Sequence, residues 1–167
     1  MIRRRVASVD VWAALVLVSL VAMAVRFIGL GSSPPGFYVD EAVAGAQLVC
    51  LAHTGVDAFG NSWPIVSVWP APGVSAVFPA QYLYPGAAWV RVFGGSVASI
   101  RAIEVLISLT TVVATAGVAR NFFGRRGFAF ALLLGAFSPW SWALGRVGFG
   151  ISGNPSAAAL MVGLWVI

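Results

Sequence analysis

The sequence predicts an all-α, multi-pass membrane protein. Of its 167 residues, 60% are hydrophobic and 9% are charged, where ordinary soluble domains carry about 25% charged residues. Mean hydropathy is +0.94, and a fold this small has too much surface for so few polar groups to cover. Apolar runs recur at lengths suited to helical crossings, and lipid cannot satisfy open backbone groups. The spans are therefore helices, since nothing in the pattern shows the alternating short strands of a barrel.

The first predicted span covers 11–30. It is uncharged over Val11–Val25, follows Arg3, Arg4 and Arg5, and continues through Arg26, whose long side chain is expected to snorkel to the headgroups. A cleaved secretory signal competes with it, because Ala22-Met23-Ala24 is a small-x-small site after a basic start. The length of the run and the apolar segments that follow favour a span. A second span is predicted over 102–119, ending at Arg120, and a third over 128–144, preceded by Arg125 and Arg126. A fourth, over 157–167, stops after about half a bilayer at roughly 1.5 Å per residue, so the chain is expected to be the N-terminal part of a longer protein.

Orientation follows from the arginines. The clusters at 3–5 and 120–126 are expected to share the cytoplasmic face of the cell membrane, which needs two crossings between them and leaves 31–101 as a large external loop. That loop holds Asp40, Glu41 and Asp57, three of the five acids in the chain.

Inside the loop, Pro34-Pro35-Gly36 breaks the first helix. Asp40 then stands at an N-cap position before a helical run over 41–54, closed by Gly55. Gly60, Pro64, Pro70, Pro72 and Gly73 predict irregular chain, with Trp63 and Trp69 suited to the boundary of lipid and water. Residues 79–93 carry Pro85 and Arg91 and are short for a span, so they read as a helix lying in the interface. Glu104, three residues after Arg101, predicts an i,i+3 ion pair at the start of the second span.

Several function classes fall away. All ten cations are arginine, for a net charge of +5, but they lie singly or in tight clusters beside apolar runs, so no nucleic-acid partner is predicted. Cys50 is the only cysteine and can form no internal disulfide, Cys-based zinc site or redox pair. His53 has no companion histidine and reads as an interfacial side chain, so no metal site and no cofactor are predicted; a divalent-cation requirement is left open. The glycines of 148–153 match a dinucleotide pattern without its βαβ context and read as a turn between spans three and four.

What remains is the acidic loop. Asp40 and Glu41 at a helix start can serve as base and hydrogen-bond acceptor in a shared cleft, or can simply cap the helix and complement its dipole. Arg101 and Arg146, both expected at the outer boundary, are candidate phosphate ligands, since an anion near hydrocarbon needs charge-assisted donors. Arg91 fits ordinary snorkelling better.

Three segments, Arg26-Phe27-Ile28-Gly29-Leu30, Pro34-Pro35-Gly36-Phe37-Tyr38-Val39-Asp40-Glu41-Ala42 and Thr54-Gly55-Val56-Asp57-Ala58-Phe59-Gly60-Asn61, carry a resemblance. With Phe93-Gly94-Gly95-Ser96, Phe123-Gly124-Arg125-Arg126, Ser138-Pro139-Trp140 and Arg146-Val147-Gly148-Phe149, the chain resembles the N-terminal part of a GT-C superfamily membrane glycosyltransferase. The group is that of protein mannosyltransferases and lipid A aminoarabinose transferases. The resemblance implies an inverting transfer of a sugar from a polyprenyl-phosphate donor to a protein, lipid or glycan acceptor on the outer side of the membrane. It also implies that Asp40 is the catalytic base and Glu41 a positioning residue beside it. The alternative is a non-catalytic multi-pass carrier or assembly subunit whose acidic loop binds a partner.

Overall fold

The computed structural model describes the backbone of residues 2–71, 74–147 and 153–166 and the side chains of 11–68, 77–147 and 157–166. In chain order its elements are α1 (Ile2–Val25), α2 (Val39–Thr54), β1 (Val66–Ala71), β2 (Val74–Pro79), α3 (Ala80–Phe93), α4 (Val97–Phe137), α5 (Pro139–Leu144) and α6 (Gly153–Val166). The chain is mostly helical. Among the described residues one helix, Val97–Phe137, is long and apolar enough to cross a membrane, with shorter apolar helical stretches at Val11–Val25 and Ala157–Val166.

The helix α1 ends at Val25, short of the expected 30. The N–H groups of Arg26, Phe27 and Ile28 bond to carbonyls three residues back, at 3.2, 3.2 and 3.0 Å, which tightens the last turn. Arg26 does not snorkel. Its side chain is fully buried, because polar acceptors inside the bundle take the place of the headgroups.

The span expected at 102–119 and the first part of that at 128–144 lie within one helix that breaks at Gly124. There the backbone takes φ 65° and ψ −157°, a region open almost only to glycine. The two halves of α4 fold back on each other: Val112 and Ala116 pack with Leu132 and Ala136, and Ala22 and Met23 of α1 complete this core. The second half stops at Phe137, earlier than 144, because Ser138 leaves helical geometry as the residue before Pro139 must. The short α5 restarts with the Ser138 hydroxyl accepting the Ser141 N–H at 3.3 Å. The helix α6 lies along the first half of α4, with the Trp165 indole against Gly117 and Asn121 Nδ2 donating to the Trp165 carbonyl at 3.3 Å.

A second core joins α2, α3 and the start of α4. Val43, Ala44, Leu48 and Leu51 meet Tyr82, Leu83, Ala87 and Val90, with Phe78 and Ile103 closing the ends. Gly86 lets Leu48 approach so closely that an added Cβ would lie 2.7 Å from its methyl. The α2 C-cap is Gly55 with φ 72°, as the sequence predicts, and α3 begins one residue after Pro79. At the other end of α2 the expectation needs correction: the helix starts at Val39 with Tyr38 as N-cap, so Asp40 sits in the first turn.

Over 60–73 the sequence predicts irregular chain, and there the structure differs: within a mostly helical chain, β1 and β2 form an antiparallel hairpin with Ser67 opposite Phe78. Alternation explains it. Ser67 and Phe78 are buried while Val66, Val68 and Val77 are exposed, so β-branched residues occupy one face and the core residues the other. Of the residues that predicted irregular chain, Gly60 and Pro64 precede β1 and Pro70 lies within it, while Pro72 and Gly73 lie outside the described residues.

Candidate functional site

The first turn of α2 is anchored by a buried ion pair. Glu41 and Arg101 are both fully buried, with Arg101 Nε donating to Glu41 Oε1 at 2.8 Å and Nη2 donating to Oε2 at 2.9 Å. The remaining guanidinium donors reach the carbonyls of Leu30 and Pro34, each at 2.9 Å, and of Gly36 at 2.6 Å. All five N–H groups of Arg101 are thus used. Glu41 Oε2 also accepts the Tyr38 N–H at 3.1 Å, capping the helix.

Two expectations change. Arg101 has no donor left for a phosphate, so that assignment is replaced by a structural one: the guanidinium shapes residues 30–36 around the start of α2. The i,i+3 pair between Arg101 and Glu104 gives way to the pair with Glu41, because Arg101 points from α4 toward α2. Glu104 is buried on the neighbouring turn. Its charge and that of Glu41 add to burial in pushing the Tyr82 hydroxyl well above its ordinary pKa.

Asp40 is exposed, and no hydrogen bond or ion pair from within the described residues engages its carboxylate. Of the adjacent acids, the structure therefore buries one in a fixed pair and leaves the other available. The third loop acid, Asp57, is also structural. Its Oδ1 accepts the N–H groups of Phe59 and Asn61 at 2.9 Å each, and its Oδ2 accepts the Ser67 hydroxyl at 2.8 Å. Burial raises its pKa, but bonds from Asn61, Ser67 and Phe59 outweigh that and hold it below the ordinary value.

Beside the Arg101 shell lies a cavity of about 690 Å³ walled by Ser33, Tyr38, Trp142, Leu144 and Arg146, among others. Arg146 Nη2 donates to the carbonyls of Ile28 and Ser33 at 2.8 and 3.1 Å. Its Nη1 and Nε have no protein acceptor among the described residues. Asp40 is two residues along the chain from Tyr38 in the cavity wall.

Arg26 supports this wall from within. Its Nη1 donates to the Ser141 hydroxyl at 2.8 Å and the Ser108 hydroxyl at 3.2 Å, and its Nη2 to the carbonyls of Gly135 and Ala136 at 3.0 and 2.9 Å. Its guanidinium carbon lies 5.4 Å from the centre of the Trp142 ring, a cation–π distance. Sequence reasoning named Arg26 as a snorkelling residue and missed Tyr38 and Trp142. An arginine inside an apolar run is a signal for a buried functional role, but its partners lie more than 80 positions away in the chain.

Arg91 donates to the Ala52 carbonyl at 3.0 Å, bracing α3 on α2. Cys50 is half-buried and free. His53 is exposed in the last turn of α2. Among the described residues no group of three or more His, Cys, Asp or Glu gathers as metal ligands would. The glycine turn expected at 148–153 lies outside the described residues except for Gly153. No protein-family model, curated protein or solved structure matches the chain.

Proposed function

We propose that this chain is part of a membrane glycosyltransferase that takes a sugar from a polyprenyl-phosphate carrier and passes it to an acceptor on the outer side of the membrane. The observation that carries the reading is an exposed carboxylate, Asp40, two residues along the chain from Tyr38 in the wall of a cavity whose Arg146 keeps two nitrogens without an acceptor among the described residues. Apolar walls suit the isoprenoid end of the donor, and Arg146 suits its phosphate.

In this mechanism Asp40 accepts the proton of the acceptor hydroxyl as the oxygen attacks the anomeric carbon. The glycosidic bond breaks with its electron pair going to the phosphate oxygen. Arg146 stabilises the charge that builds on that phosphate. Glu41 and Arg101 act as positioning residues that fix the first turn of α2. No nucleotide is needed, because the donor carries its own leaving group.

The membrane placement draws on internal geometry. The turn at Gly124, with Arg120 and Arg125, meets the α1 residues around Trp12, while Arg26 meets Ser108 and Ser141 at the other end of the helices. Arginine clusters at one end and the acidic segment toward the other match the positive-inside pattern. The exposed apolar groups Trp63, Ile65, Val66 and Val68 give the hairpin a surface suited to the interface.

The test is transfer of radiolabelled sugar from a polyprenyl-phosphate donor in membranes holding the intact protein. Labelled acceptor is expected, and Arg146→Gln is expected to lower kcat/KM about tenfold or more through the lost charge-assisted bond to the phosphate. Absence of labelled acceptor with every donor sugar tried contradicts the enzyme and favours the carrier or assembly subunit.

A further inference from the structure

We propose that the groove between α1 and α4, at the end opposite the candidate site, binds one anionic phospholipid. The proposal rests on the membrane reading above and is independent of sugar transfer.

The groove is a cavity of about 580 Å³. Trp12, Val16 and Leu20 of α1 and Phe128 of α4 form an apolar trough, and Arg120 and Arg125 stand at its rim. At the trough, Trp12 meets Phe130 edge-on, at 5.6 Å between ring centres. Both rim arginines are exposed, and no carboxylate among the described side chains pairs with either. Between them, Phe122 and Phe123 are 77% and 75% exposed just before the glycine turn, an arrangement that water disfavours and an acyl boundary accepts.

Charge complementarity selects the occupant. Two guanidiniums on opposite sides of the Gly124 turn can grip one phosphate from two directions, each with planar forked donors, while the trough accepts an acyl chain. A zwitterionic headgroup carries its own cation and gains less from two exposed arginines that no described carboxylate pairs with. A lipid with net negative charge therefore fits better than a neutral one, and it would tie α1 to the hairpin formed by the two halves of α4.

The experiment is native mass spectrometry of the intact, detergent-purified protein, titrated separately with phosphatidylglycerol and phosphatidylcholine. One phosphatidylglycerol is expected to be retained, with phosphatidylcholine about tenfold weaker. The double variant Arg120→Gln, Arg125→Gln is expected to lose about tenfold in phosphatidylglycerol affinity, the scale of lost charge-assisted contacts. Arg126→Gln, whose residue does not line the groove, is expected to bind like the parent. Because all three arginines are exposed, an unchanged thermal midpoint checks that the variants fold. Equal binding of the two lipids, or an unchanged affinity in the double variant, overturns the proposal. So does the absence of any saturable adduct, as when another protein segment or a second copy fills the groove. Selective retention of phosphatidylglycerol without sugar transfer supports the groove and contradicts only the transferase reading.

Discussion

Asp40→Asn in the intact protein is expected to lower sugar transfer by about 10²–10⁴-fold, the range over which a positioned general base contributes. The amide keeps the size of the side chain and removes the ability to take a proton. Because Asp40 is exposed and unpartnered within the described residues, its replacement leaves the packing of α2 untouched, and membrane insertion and thermal midpoint should stay at the parent values. Loss of activity with an unchanged midpoint is therefore the signature of chemistry. Retention of ordinary transfer removes Asp40 from the mechanism. Asp57 behaves in the opposite way, since five hydrogen bonds engage its carboxylate and its removal disturbs the turn that seats β1.

Breaking the Glu41–Arg101 pair is expected to cost about 3–5 kcal/mol, the range for leaving one member of a buried pair without its partner. Arg101→Met strands the Glu41 carboxylate inside the protein and frees three carbonyls of residues 30–36. Glu41→Gln leaves the guanidinium charge buried without its counterion and weakens the N-cap at Tyr38. The double variant Glu41→Gln, Arg101→Met is expected to be more stable than the sum of the single losses predicts, because neither charge is then stranded. Thermal unfolding of the intact protein in lipid nanodiscs gives the three values. Near-additive single losses, or midpoints unchanged in both single variants, show that the pair does not hold the site.

Local patterns in the sequence carried much of the fold. Gly55 as helix end, Pro79 as the entry to α3, and the break between the second and third apolar runs near Gly124 each follow from one residue's backbone preferences. The hairpin was harder to read. Val66-Ser67-Val68 inverts the usual code by burying serine, and that serine is inside because the distant Asp57 carboxylate accepts its hydroxyl. The adjacent acids at 40 and 41 were legible as a feature, and their division of labour was not. It depends on Arg101, 60 residues away, which reaches one carboxylate and passes the other by. Arg146 and the cavity wall likewise depend on the Ser138–Pro139 break turning α5 toward Tyr38, a tertiary relation with no local trace.

The side of the membrane on which Asp40 lies is the most direct test. With Cys50, the only cysteine, changed to alanine, a single reporter at Asp40→Cys can be probed in intact cells with a membrane-impermeant maleimide, and Arg125→Cys serves as the opposite marker. Labelling is expected at 40 without permeabilisation and at 125 only after it. Labelling at position 40 that requires permeabilisation puts the carboxylate on the cytoplasmic side and contradicts the account.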